Sequence, residues 1–331
     1  MRHRELTEQL TVSEIGFGNW TCTTGWWGTY TRDEAIRLHR DAFDLGVTFF
    51  DTAATYADGE AERILGEALA DVRDEVVIAT KFGYDLDDGH ERAGQVERAH
   101  RLDPDYLRVE LDRSLRRLGV ETIDLYQLHN PRMAHVDDDA VFEFLDEARR
   151  AGKVRAVGVA LGPRIGWRDE GVRAMRTRDL DQVQIIHNLL EQDPGRELLD
   201  VAGEEGVRAV VRVPHSSGLL EGGLTPDTVF PPNDHRRHRP RSWLVEGLQK
   251  VDRLGFLCEG RTLAQAALRW VLADRRVAST LPNVYDRDQL AGLVAASDVP
   301  DLTDDELARV AELYERDFDV VPCDDETKLG A

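Results

Sequence analysis

Four side chains in this sequence have the types that acid–base work on a carbonyl or an alcohol requires, and each stands at or just past the end of an apolar run. Asp51 and Tyr56 lie in FFDTAATY, residues 49–56; Lys81 ends VVIATK and His129 ends IDLYQLH. A phenol titrates near 10, too high to exchange protons well at neutral pH. A nearby ammonium favours the phenolate and lowers that value, and a carboxylate beside the ammonium keeps it charged and placed. The product is a general acid/base drawn toward the working pH. A histidine next to it can donate a hydrogen bond to a substrate oxygen and orient a carbonyl. The set contains no strong nucleophile and no metal cluster, which points away from hydrolysis and toward proton transfer. A strand-end aspartate is also a common helix cap or turn acceptor, so the chemistry depends on whether the fold brings the four together.

The pattern of elements says that it does. Short apolar runs at Ile15–Gly18, Val47–Phe50, Val76–Thr80, Ile123–Leu128, Val154–Val159, Val183–Ile186, Arg208–Val213 and Val277–Thr280 read as strands. Amphipathic helical segments separate nearly all of them. Thr31–Glu34 forms a capping-box pattern ahead of one helix, and Pro104 opens another that stops at Gly119. Residues 5–13 alternate weakly and suit a hairpin ahead of the first core strand. Continuous apolar runs are the mark of parallel strands buried on both faces. The dinucleotide fingerprint of a doubly wound sheet is missing, since Gly16 and Gly18 are followed by Thr21 where its third glycine belongs. The expectation is therefore one α/β domain, a (β/α)8 TIM barrel with two extra C-terminal helices near 287–296 and 303–315, then an acidic tail over about 317–331. In such a barrel the C-terminal strand ends share one mouth, where Asp51, Lys81 and His129 would meet Tyr56.

Composition bounds the partners. The 331 residues carry 42 basic and 63 acidic side chains, a net charge of −21, and 41% are hydrophobic, enough for a large core. A surface this acidic repels nucleic acid and anionic membrane. Only Lys81, Lys153, Lys250 and Lys328 are lysines. Acid excess with scarce lysine fits a high-salt cytoplasm, where at molar salt the Debye length shrinks to roughly 3 Å. Cys22, Cys258 and Cys323 are odd in number and far apart, as in a reducing compartment. The first residues lack the apolar core of a signal peptide, and no run of membrane-spanning length occurs. A cytoplasmic monomer or small homo-oligomer acting on a small molecule is expected.

The motifs resemble those of a known family. Asp51-Thr-Ala-Ala-Thr-Tyr56 followed by Glu62-Arg-Ile-Leu-Gly66-Glu-Ala-Leu is similar to the DTAxxYG…SExxLGxAL signature of aldo-keto reductases. Residues 118–129, LGVETIDLYQLH, resemble that family's LGxDYIDLYQLH, and residues 152–159, GKVRAVGV, resemble its GKVRAIGVS. The resemblance spans about Leu6 to Leu313. It implies an NAD(P)H-dependent reductase of aldehydes or ketones, with a sugar among the candidates. Matched by position, Tyr56 is the proton donor, Lys81 and Asp51 are its activating pair, and His129 orients the carbonyl. The cofactor supplies the hydride.

The same resemblance places cofactor residues where the sequence matches. Gln184 and Asn188 correspond to a Q-x-x-x-N pair whose glutamine holds the nicotinamide carboxamide. Arg212 stands in an RVP motif at the seventh barrel strand, where a guanidinium can lie against the nicotinamide ring. Ala160 and Leu161 replace the usual Ser-Asn pair. Asn283, Tyr285, Arg287 and Gln289 correspond to the family's IPGxxxxxQ phosphate loop, with Asn283 in place of its glycine. Tyr285 falls where a basic residue often binds a 2′-phosphate, and Asp286 beside Arg287 repels one. NADP is the expected cofactor, with NAD the alternative. Trp26 and Trp27 follow the first core strand and would wall the substrate pocket. The stretch His235–Arg241, HRRHRPR, is the one basic concentration; it either attracts an anion at the mouth or is a solvated loop paired to nearby acids. No role follows for His100 or the Gly83–His100 loop. Two other functions remain: an aldose or alcohol dehydrogenase running in reverse, and a nicotinamide-binding regulatory subunit without turnover.

Overall fold

A computed structural model describes residues 1–88, 97–162 and 167–330; residues 89–96 of the Gly83–His100 loop lie outside them. Among the described residues the strands, in chain order, are β1 (His3–Thr7), β2 (Leu10–Ser13), β3 (Phe17–Gly18), β4 (Phe49–Asp51), β5 (Val77–Phe82), β6 (Ile123–His129), β7 (Val154–Ala160), β8 (Gln182–Ile186), β9 (Arg208–Arg212) and β10 (Val277–Leu281). From β3 to β10 they form one eight-stranded sheet in sequential order, with every neighbouring pair parallel. The residues just before β3 close the ring. Gly16 N donates to Thr280 O at 2.9 Å and Thr280 N to Glu14 O at 3.0 Å. A Cβ on Gly16 would sit 2.8 Å from Phe49 Cδ1 and 2.9 Å from Leu281 Cδ2, so any larger residue would force these side chains to shift at the closure.

Side chains alternate along each strand between barrel interior and surrounding helices. Phe49, Val77, Ala79, Leu125, Ala156, Val210 and Ala278 fill the lower interior, and Leu6, Leu10 and Val12 of the β1–β2 hairpin pack on them as a plug. The opposite strand faces bury a larger apolar layer against the helices. Both faces are thus dry, which is why the runs were continuous. The helix Arg32–Asp44 begins with the expected capping box, Thr31 Oγ1 accepting from Glu34 N and Glu34 Oε2 from Thr31 N. The helix Pro104–Leu118 begins on the Asp103 cap and ends at Gly119, left-handed at φ 68°.

Two departures concern the C-terminal part. The helix Arg241–Asp252 was not apparent in the pattern, because Gly247 interrupts it. That glycine lets the helix pack onto Leu219, whose Cδ1 would lie 2.5 Å from a Cβ there. The acidic tail is not loose. After the helix Asp304–Glu315 the chain runs back along the loop that follows β9. Phe230 N donates to Leu329 O at 2.9 Å, Leu329 N to Arg239 O at 3.0 Å, Gly330 N to Arg237 O at 3.0 Å, and Arg241 N to Thr327 O at 2.8 Å. Leu329 is completely buried beside Phe230 and Leu244. The tail is a strap that fixes the basic loop.

Removing the Leu329 side chain should therefore destabilise the protein by about 2–4 kcal/mol, the usual range for a buried leucine cut to alanine. Val321, 70% exposed on the same segment, serves as the comparison: Val321→Ala should change stability by less than about 0.5 kcal/mol. Denaturant unfolding measures both, and equal effects would mean the strap is not anchored by Leu329.

Candidate active site

The strand ends converge as the pattern requires. Asp51 closes β4, Lys81 is the penultimate residue of β5, and His129 closes β6. Lys81 and Asp51 are almost entirely buried, at 1% and 4% exposure, and form an ion pair through Nζ and Oδ1. Nζ also donates to Thr52 O at 2.7 Å. The second carboxylate oxygen, Oδ2, accepts from Gln127 Nε2 at 3.1 Å and from Gln184 Nε2 at 3.0 Å. An ammonium has three donors, and two are committed here, leaving one for a group above. The Tyr56 ring lies on that side, its centroid 5.2 Å from Lys81 Nζ.

Tyr56 opens a 3-10 turn, Tyr56–Gly59, in which Ala57 (φ 46°) and Asp58 (φ 53°) are both left-handed. Such a conformation costs a non-glycine residue about 1–2 kcal/mol. It lets the chain turn sharply from the tyrosine into the helix Glu60–Ala68. Glu62 of that helix is fully buried, accepting from Thr80 Oγ1 and Arg117 Nε, each at 2.6 Å. Burial drives its carboxyl upward while Arg117 opposes the shift. The bond to Thr80 ties the turn to the residue adjacent to Lys81.

His129 meets the Tyr56 ring edge-on, with centroids 5.9 Å apart. It is 8% exposed, and its Nδ1 has no hydrogen-bond partner among the described residues. Burial, followed by the charges of Lys81 and Arg212, holds its pKa well below the ordinary value. The ring is neutral and can donate from only one nitrogen. Tyr84 and His100, from the loop without an expected role, hold it in place. Tyr84 packs on His129 at 5.1 Å between centroids, and His100 Nε2 is 2.9 Å from the His129 carbonyl oxygen.

Above these residues opens a cavity of about 960 Å³ whose wall includes Asp51, Tyr56, His129, Gln184, Arg212, Asn283, Trp26 and Trp27. Trp27 stacks with Tyr285 at 6.3 Å and 20°, and Arg236 lies 4.3 Å from its ring centroid. The basic loop reaches the wall through His235, His238 and Arg239, while Arg236 pairs with Asp234 at 2.6 Å. Arg212 is tied by Nη2 to the carbonyls of Leu161 at 2.8 Å and Gly162 at 2.5 Å. From the end of β9 its guanidinium thus reaches the residues that follow β7, next to Ala160 and Leu161.

Other expected residues do not reach the cavity. Asn188 is fully buried in a turn, donating to Val213 O at 3.1 Å and to Glu191 at 2.8 Å and accepting from two backbone amides. Gln289 Oε1 accepts from Tyr285 N at 2.7 Å and so shapes the loop. Arg287 is drawn outward to Asp41 at 3.0 Å, and Asp286 caps the helix Arg287–Val294. Tyr285 stands behind Trp27. Gln127 was missed as a support for Asp51, although its place two residues before His129 puts it on the same inward face.

An eight-stranded parallel barrel with a tyrosine beside a buried lysine–aspartate pair at its mouth is the arrangement expected of an oxidoreductase. The model of the Aldo/keto reductase family matches residues 14–315, and the chain belongs to that family of NAD(P)H-dependent oxidoreductases. It is 28% identical over 324 residues to an NADH-specific methylglyoxal reductase of Escherichia coli (strain K12), covering 93% of this chain and 97% of that one. It is 30% identical over 325 residues to an L-glyceraldehyde 3-phosphate reductase of Escherichia coli O157:H7, covering 86% of each. The solved structure of a glycerol dehydrogenase from Gluconobacter oxydans superposes with a TM-score of 0.81 at 27% identity, covering 96% of this chain and 95% of that one.

The neutral state of His129 has a direct consequence. An unfolded histidine takes up a proton as pH falls through about 6.5, whereas His129 in the fold does not. The unfolded state thus binds more protons in this range, and the residue lowers stability as pH drops below that point. Imidazole ¹⁵N shifts at pH 6 should report a neutral ring; a protonated one would contradict the site described.

Proposed function

We propose that this protein reduces a small aldehyde or ketone, with Tyr56 as the general acid. The observation that carries the reading is the ammonium of Lys81, buried, paired to Asp51 and 5.2 Å from the Tyr56 ring. As a carbonyl is reduced, its oxygen takes a proton from the Tyr56 hydroxyl, and the developing phenolate is stabilised by the fixed positive charge beneath it. His129 donates a hydrogen bond to the same oxygen and sets its direction. Asp51 keeps the ammonium in place, and the amides of Gln127 and Gln184 keep Asp51 in place. In the reverse direction the same groups serve an alcohol dehydrogenase, so direction follows supply rather than geometry.

A bound nicotinamide supplies the hydride. The cavity suits such a group: the Gln184 amide nitrogen is occupied by Asp51 and Gln127, so its oxygen is the atom offered to a carboxamide. Arg212 and Asn283 follow β9 and β10 on the same side of the cavity wall, which Trp27 also lines. Family habit favours NADPH, but Arg287 is already paired with Asp41 and Asp286 is a helix cap. That pairing supports NADH as the better coenzyme, the one named for the Escherichia coli methylglyoxal reductase. The substrates named for the relatives, methylglyoxal and glyceraldehyde 3-phosphate, support a short polar aldehyde.

Acid excess, scarce lysine and three unpaired cysteines support a cytoplasm of high salt. Among the described residues no helix is long and apolar enough to cross a membrane.

Turnover of methylglyoxal and glyceraldehyde with NADH and NADPH, in molar potassium chloride, is the test. Consumption of reduced nicotinamide is expected, faster with NADH. Cofactor binding without turnover of any carbonyl would identify a regulatory subunit instead. Thermal melts in dilute and molar potassium chloride should show a higher Tm at high salt, and equal values would refute salt adaptation.

A further inference from the structure

We propose that Arg98 is the anion-binding arm of the substrate pocket, and that the physiological carbonyl compound carries a carboxylate or a phosphate. This rests on the reductase reading and names its substrate class. Arg98 is only 8% exposed yet lines the cavity with Tyr56, Asp58, Tyr84 and His129. Its Nη2 donates to Asp58 Oδ1 at 2.5 Å. Its Nε and Nη1 are buried and meet no acceptor among the described residues. Buried guanidinium donors left unmatched are unfavourable, and a charged oxygen is the partner that suits them best.

Arg239 on the basic loop reaches the wall from the far side, its guanidinium 5.0 Å from the Trp243 ring centroid; four other cations near the site are engaged. Lys81 holds Asp51, Arg212 holds two backbone carbonyls, Arg236 holds Asp234, and Arg132 pairs with Glu97 while lying over the Trp167 ring. Asp58 does not exhaust Arg98, since it reaches one nitrogen and is itself 70% exposed to solvent. Position separates Arg98 from the cofactor. Gln184, Arg212 and Asn283 mark the β8–β10 side, whereas Arg98 stands with the left-handed Tyr56 turn, on the side of the carbonyl. An oxyanion bound there would anchor the far end of a short substrate whose carbonyl lies against Tyr56 and His129.

The competing role for Arg98 is a peg that holds Asp58 and hence the Tyr56 turn. The two roles differ in selectivity. The measurement is kcat/KM for succinic semialdehyde against butanal, and for glyceraldehyde 3-phosphate against glyceraldehyde, in the wild type, Arg98→Met and Arg98→Lys. At least one anionic member should be favoured by about tenfold or more in the wild type, through KM. Arg98→Met should collapse that ratio, and Arg98→Lys should retain part of it. Whichever pair carries the preference distinguishes carboxylate from phosphate. A wild-type ratio near one for both pairs, or an Arg98→Met variant that slows both members of a pair equally, overturns the proposal. Absence of turnover with all four aldehydes in the wild type would remove the reductase reading, and this inference with it.

Discussion

The structure depends on one buried ion pair. Lys81 and Asp51 sit where water does not compensate their charges, and burying two ions costs several kcal/mol each unless geometry and further hydrogen bonds offset it. Here they do. The carboxylate receives the ammonium and two amide donors, and the ammonium also meets the Thr52 carbonyl. These partners come from β4, β5, β6 and β8, so the pair is correct only when the barrel has closed. Closure in turn sets Gly16 close against Phe49 and Leu281 and needs a lower interior filled by the β1–β2 plug. What emerges is a fixed positive charge under a tyrosine, facing a cavity.

The helices and loops outside the barrel refine that arrangement. The network of Glu62, Thr80 and Arg117 couples the helix after Tyr56 to the strand that carries Lys81. Tyr84 and His100 hold His129 from the opposite side. The C-terminal strap secures the loop that contributes His235, His238 and Arg239 to the cavity wall, so the tail belongs to the architecture of the mouth even though no tail residue lines it.

The barrel and the meeting of Asp51, Tyr56, Lys81 and His129 at its mouth were legible in the sequence because both rest on short-range signals. Parallel strands leave apolar runs, caps leave Thr31–Glu34 and Pro104–Gly119, and strand ends place Asp51, Lys81 and His129 without knowledge of any long-range contact. The cofactor end was less legible. Asn188, Arg287 and Gln289 match motif positions, but their partners Val213, Asp41 and the Tyr285 backbone are distant or conformational, and no spacing rule reveals that those bonds absorb them. Arg98 and the strap were silent for the same reason: an unmatched guanidinium and a buried Leu329 are facts of packing. The helix Arg241–Asp252 was hidden by a glycine whose justification, close approach to Leu219, lies in the tertiary structure.

The claim at the centre is that Tyr56 and Lys81 act as one unit. It is tested most directly by kcat/KM for Tyr56→Phe, Lys81→Met and the double variant, each with cofactor affinity measured alongside. Each single substitution should cost about a hundredfold to ten-thousandfold, and the double should be little worse than the poorer single, as for residues that share one function. Losses that multiply in the double variant, with cofactor affinity intact throughout, would show that the lysine does not act through the tyrosine.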